Sequence, residues 1–172
     1  MRSARILSTA VLISAFSLAM TAHAAAPPRV TAAFTKLQSL AGDWGGKDDD
    51  GNPVRTSFKS VVSNTAVLET LSMADMDEML TVYSIDKDGI ALVHYCPTNN
   101  QPRMRAVPQD ESPRELEFQF QGATNLPDPA AGHEQHLVIQ FEDKDHITER
   151  WTWRKAGKDT TMVYHFIRKA NQ

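Results

Sequence analysis

MLTVYSIDKDGIALVHYCPTNNQPRMR, residues 79–105, holds three short alternating runs separated by two turns. Period-two alternation puts successive side chains on opposite faces of a strand. An Asp-Gly pair between two such runs is a strong short-range hairpin signal. With Lys87 and Asp88 at the tip, Ile85 opposes Ile90, Tyr83 opposes Leu92, Thr81 opposes His94 and Met79 opposes Cys96. Reading Pro97 to Asn100 as a four-residue loop then sets Cys96 against Gln101, His94 against Arg103, and Leu92 against Arg105.

One face of this three-stranded unit carries Thr81, Tyr83, His94, Cys96, Gln101, Arg103 and Arg105 among Met79, Ile85, Ile90 and Leu92. The other carries Leu80, Val82, Val93, Tyr95, Met104 and Ala106. A slip of one residue at either turn exchanges faces for the strand beyond it. If the mixed face were solvent, Met79, Tyr83, Ile85, Ile90 and Leu92 would form a large wet apolar patch. A cavity wall has the same composition, apolar with a few placed polar groups. The mixed face is therefore read as interior, and the apolar face then needs cover from the helix, another sheet or a second copy of the chain.

The same grammar runs outward in both directions. Strands are predicted near 43–47, 54–62, 66–73, 79–85, 90–96, 101–107, 114–121, 135–142, 146–155 and 160–168, divided by Asp-, Asn-, Gly- and Pro-rich turns. Before them, Val30, Ala33, Phe34, Leu37 and Leu40 recur at helical spacing, and Gly42 follows where a helix should stop. The expected fold is all-β in the main: an antiparallel meander closed as a barrel of 8–10 strands, with one short N-terminal amphipathic helix. Closure removes the exposed edges that an open meander would leave.

Residues 1–24 read as a signal peptide. Arg2 and Arg5 precede the apolar run Ile6–Met20, and Ala22-His-Ala24 supplies the small-x-small cleavage pattern. The run is about fifteen residues, short of the roughly 20 that span a bilayer. Residues 25–172 then form a single domain in the periplasm or outside the cell, with no stable membrane anchor. Removing Arg2 and Arg5 takes the formal charge from −3 to −5, which argues against nucleic acid as a partner. Cys96 is the only cysteine, so no intrachain disulfide forms.

The order of helix, Leu40-Ala-Gly-Asp-Trp-Gly-Gly46 and meander resembles lipocalin-like (calycin) barrels, in which a Gly-x-Trp opens the first strand. Met79–Tyr83, His94–Cys96, Asn100–Met104, Ala123–Leu126, His136, Asp145–Ile147 and Trp151-Thr152 resemble an uncharacterised family of exported bacterial proteins, a likeness that covers most of residues 25–172. That resemblance implies a barrel and no particular activity. Gly42-Asp-Trp44 is also similar to nitrobindin-like haem barrels. Their axial histidine lies near the C-terminus, which here points to His165 in Met162-Val-Tyr-His-Phe166.

The candidate chemistry is sparse. Glu69, Tyr83, His94, Cys96, Arg103 and Glu149 include an acid, a base and a thiol, yet no nucleophile elbow, zinc-protease motif or phosphate loop accompanies them. His94 and Cys96 stand about 7 Å apart along a strand, too far for a Cys–His pair. His133 and His136 fall on opposite faces of a regular strand, so with Asp143, Asp145 and His146 they are read as polar strand ends, and no metal site is expected. Asp48-Asp-Asp-Gly51 and Asp86-Lys-Asp-Gly89 lack the spacing of a calcium loop and are read as turns. An alternative role for His165 is a strand histidine bonded to Glu149, if Ala156-Gly-Lys158 is a three-residue loop.

These features suggest non-covalent binding of a small, largely apolar molecule in the barrel, with an acidic head among the options. Arg103 and Arg105, with Tyr83 and His94, are the groups expected to meet its head, since guanidinium suits planar carboxylates. Trp44, Trp151 and Trp153 would supply apolar wall. No cofactor is expected on this reading. Three alternatives stand beside it: an enzyme with His94 as general base and Arg103 as anion stabiliser, a haem protein through His165 with tryptophans and methionines as pocket, and a module that pairs with a second copy through its apolar outer face.

Overall fold

The computed structural model describes residues 25–74 and 76–170. The leader expected over residues 1–24 lies outside them. Helix α1 spans Pro28–Gln38, with Pro28 in its first turn, where a missing N–H costs nothing. Ten strands follow: β1 (Gly42–Asp48), β2 (Pro53–Val61), β3 (Ala66–Met73), β4 (Met79–Asp86), β5 (Gly89–Tyr95), β6 (Gln101–Ala106), β7 (Glu115–Thr124), β8 (His133–Phe141), β9 (His146–Lys155) and β10 (Lys158–Arg168). Each pairs antiparallel with the next, and β1 pairs with both β2 and β10, so the sheet closes into a barrel. Helix, ten strands and closure are as the sequence predicts.

Closure gives the barrel two unlike ends. At one end α1 buries Val30, Ala33, Phe34 and Leu37, the positions that set its periodicity. The helix is also tied to the loops around it. Arg29 donates to the Pro108 carbonyl at 2.9 Å, Lys36 to that of Pro113 at 2.6 Å, and Gln38 to that of Asn64 at 2.8 Å. Trp44 is fully buried there, donates Nε1–H to the Leu40 carbonyl at 2.8 Å, and is covered by the Arg168 guanidinium at 4.2 Å. No described helix is long and apolar enough to cross a membrane.

The other end has no helix over it. Its rim is made by the β1–β2, β3–β4, β5–β6, β7–β8 and β9–β10 connections.

Register decides which residues see the interior. Across β4 and β5, Thr81 opposes His94, Tyr83 opposes Leu92 and Ile85 opposes Ile90, as expected from the Lys87-Asp88 turn. Across β5 and β6 the pairing is Val93 with Arg103, Leu92 with Met104 and Ala91 with Arg105, one residue away from the expected register. The cause is the loop. The Asn99 amide donates to the Cys96 carbonyl at 3.0 Å and the Cys96 amide to the Asn100 carbonyl at 3.3 Å. Asn99 takes φ +65°, so Pro97 to Asn99 form a three-residue loop. A proline after the first turn residue and an asparagine at the left-handed position suit that geometry.

Candidate functional site

The slip corrects the expected site. Thr81, Tyr83, His94, Ile90, Leu92 and Met79 are buried in the barrel interior, as the mixed-face reading requires. Arg103 and Arg105 are turned to the outside. Arg103 is exposed and donates to Thr124 Oγ1 at 3.0 Å. Arg105 bridges Asp86 and Asp88, closing the outer side of the β4–β5 turn. His94 and Arg103 therefore do not share a site, and the suggested arrangement of His94 as general base beside Arg103 as anion stabiliser is not built. The outer face carries Leu80 and Tyr95, both more than a third exposed, beside half-buried Val82 and Val93.

His165 is corrected in the same way. The β9–β10 turn has two residues, Ala156 and Gly157, both at positive φ, with Lys155 opposite Lys158. His165 then opposes Thr148, bonds its Oγ1 through Nδ1 at 2.9 Å, and is exposed on the outer face. It can neither ligate a group held inside the barrel nor bond Glu149, which opposes Tyr164 instead.

Inside, a row of polar groups crosses mid-barrel. Tyr83 donates its hydroxyl to Glu69 Oε2 at 2.6 Å, and Thr56 donates to Glu69 Oε1 at 3.0 Å. Trp151 donates Nε1–H to Glu149 Oε2 at 3.0 Å, and Glu149 in turn hydrogen bonds Glu69. Both carboxyls are fully buried. Burial pushes both up from the carboxylate range, Glu149 well above it with the Glu69 charge adding, while hydrogen bonds from Tyr83, Glu149 and Thr56 hold Glu69 back. Glu149 Oε1 has no N–H or O–H donor against it. Like charges buried together cannot both ionise, so the pair holds at least one proton.

The row continues to His94. Thr81 Oγ1 lies 2.9 Å from His94 Nδ1 across the β4–β5 pair. A carboxyl oxygen accepts the Tyr83 O–H, and the direction of the Thr81–His94 bond follows the imidazole tautomer. His94 Nε2 has no protein partner. Burial holds the imidazole down to about 4, hence neutral. Its ring lies 4.7 Å from that of Trp151.

His94 and Trp151 form part of the floor of a cavity of about 580 Å³ at the open end. Its walls are Leu71, Met73, Met79, Trp153, Met162 and Tyr164, and its rim includes Asp48, Asp49, Asp50, Met76 and Pro97. Cys96 borders it without a bonded partner. Thioether side chains are soft and unbranched, so such a wall adapts to the shape of what it meets. Trp153 is set by Gly132: a Cβ there would lie 2.1 Å from the indole. Tyr83, His94, Trp151 and Trp153 are thus interior, with the last three on the cavity. Trp44 belongs to the capped end.

Glu134 is the cavity residue that sequence reasoning missed. It follows a loop-like stretch, just before the predicted start of a strand at 135. The strand begins at His133, and a bulge between Glu134 and His136 pairs Glu134 with Trp153. Glu134 is buried, its Oε2 has no partner, and desolvation raises its carboxyl to about 8. The same bulge removes the parity on which His133 and His136 were read. His133 bonds Ala131 and Gln135, and His136 bonds Glu117. No cluster of three His, Cys, Asp or Glu suited to a metal occurs among the described residues.

The fold has a solved counterpart. The crystal structure of Rv2717c from M. tuberculosis is similar to this chain with a TM-score of 0.57 and 14% identity, over 80% of this chain and 98% of that one. Likeness at that identity is a likeness of fold. No family model matches the chain, and no curated protein does. What the two structures share is the barrel.

Proposed function

We propose that the protein binds a small, largely apolar molecule non-covalently in the cavity at the open end of its barrel, and that it does so outside the cytoplasm after loss of residues 1–24. The observation that carries this reading is a pair of buried, unpartnered polar atoms, His94 Nε2 and Glu134 Oε2, in one methionine- and tryptophan-rich cavity. An unmade hydrogen bond at a buried polar group costs about 1–3 kcal/mol. His94 and Glu134 both line this space, so one occupant meets both side chains. An apolar pocket with a few convergent polar groups is also what ligand sites look like. The resemblance to exported lipocalin-like barrels agrees with both parts of the proposal.

Trp151 and Trp153 lie on the cavity, so indole fluorescence reports occupancy directly. Titration with a series of apolar molecules of graded size should quench or shift emission saturably. Trp153→Phe should remove a large share of the signal. Absence of saturable binding across the series would end the reading. Intact mass of exported material beginning at Ala25 tests the compartment; retention of residues 1–24 would refute it.

A further inference from the structure

We infer that the cavity selects an apolar molecule bearing a cationic nitrogen head, an alkyl or aryl ammonium, whose charge is met by Glu134. The inference rests on the cavity reading above and adds the sign of the ligand's charge. Every charged residue on the cavity is acidic: Asp48, Asp49 and Asp50 stand at its rim and Glu134 in its wall, with no lysine or arginine among the described lining residues. The nearby Arg154 is held by Asp159 through two hydrogen bonds of 2.6 and 2.7 Å. An incoming carboxylate would therefore lose its hydration and find no cation.

The hydrogen-bond senses agree. An ammonium only donates and an ionised carboxylate only accepts, and Glu134 lines the cavity with no protein partner on its Oε2. Trp151, Trp153 and Tyr164 supply aromatic surface, which attracts cations through the ring faces. Glu134 is neutral in the empty cavity because burial raises its carboxyl to about 8. Pairing with an ammonium restores the charged form, so binding at pH 7 releases the Glu134 proton to solvent while the ammonium keeps its own.

Octylamine, octanol and octanoate share one apolar body and differ in the head, and all are compared by calorimetry and tryptophan fluorescence at pH 7. Octylammonium should bind about 10- to 100-fold more tightly than octanol, the range of one charge-assisted hydrogen bond, and octanoate more weakly than either. Calorimetry in buffers of different ionisation enthalpy should show close to one proton released per ammonium bound and none for octanol. Glu134→Gln should abolish the preference and the proton release while leaving octanol binding in place. Glu134→Asp, which keeps the carboxyl, should retain part of the preference and shows that loss in the first variant is not a folding defect. Equal binding of amine and alcohol, tighter binding of octanoate, or an undiminished preference in Glu134→Gln would overturn the charge assignment and leave the cavity intact. Failure of all three ligands to bind would overturn the cavity reading and this inference with it.

Discussion

The two ends of this barrel are made from one sheet and put to opposite uses. At the capped end, α1 and Trp44 fill the interior with apolar side chains, and the polar atoms at its edge find backbone carbonyls. At the open end the same strands surround about 580 Å³ of space, and buried polar atoms are left without partners. Interiors are normally packed to the density of organic crystals, with buried polar groups paired. The capped end obeys both rules and the open end breaks both. Tight packing is thus concentrated where the helix sits, and the proposed site where it is absent.

The sharpest way to break that contrast is to remove a tryptophan from each end. Trp44→Ala deletes a fully buried indole, its bond to Leu40 and the surface under Arg168, and should cost about 3–5 kcal/mol, the usual range for such a truncation. Trp153→Ala removes a partly exposed side chain from a wall already open to solvent, and should cost well under half as much. Urea unfolding of both variants compares them on one scale. Equal losses would show that the open end is packed as tightly as the capped one.

The ends should also differ in their response to pH. Glu134 lies near 4.5 unfolded and about 8 folded. Its raised value means that the folded chain holds a proton the unfolded chain gives up. Stability from this group is full below pH 4.5 and is lost as the pH climbs to 8, by at most about 1.4 kcal/mol per unit. His94 is depressed from 6.5 to about 4, so its contribution is full above 6.5 and lost as the pH falls toward 4. The two slopes oppose one another between pH 4.5 and 6.5. Glu134→Gln should flatten the alkaline limb of a stability–pH profile, and His94→Gln the acid limb. A profile unchanged by both substitutions would mean that neither group is desolvated as the cavity requires.

Gly132→Ala sharpens the contrast within the open end. The added methyl meets the Trp153 ring at 2.1 Å, so the indole must move. Overpacking of this kind typically costs about 1–3 kcal/mol. Because the ring forms part of the cavity wall, ligand affinity should fall along with stability. A change in Tm with unaltered affinity would detach Trp153 from the site.

How much of this was legible in the sequence follows from what each feature depends on. Alternation and the Asp86–Gly89 turn set the β4–β5 register, and the apolar spacing in residues 30–40 set the helix; both are local signals. Loop length is less determinate. Pro97 to Asn100 admits either three or four residues, and the left-handed Asn99 selects three, which turned Arg103 and Arg105 outward. The two-residue turn at Ala156-Gly157 moved His165 off Glu149 by the same arithmetic. Glu134 was invisible because a bulge suspends the alternation that would have marked it as interior. The Glu69–Glu149 pair depends on closure, which brings β3 and β9 together across the barrel from 80 residues apart in sequence. Hairpin contacts are readable from the chain; contacts through the lumen are not.

The smallest expected effect tests the register itself. In the expected register Arg103 would stand inside against His94, and replacing it with leucine would remove a buried charge and alter ligand affinity. In the observed one it is exposed on the outer face, with a single hydrogen bond to Thr124. Exposed substitutions away from special features usually change stability by no more than about 0.5 kcal/mol. Arg103→Leu should therefore leave the unfolding midpoint and the affinity for every cavity ligand within error of the wild type. Leu92 supplies the counterpart: it is buried on the interior face of β5, opposite Met104, and Leu92→Arg should prevent folding or unfold the open end. A strong effect of Arg103→Leu on binding would place the guanidinium back in the lumen, restore the four-residue loop at Pro97 to Asn100, and reverse the charge proposed for the ligand.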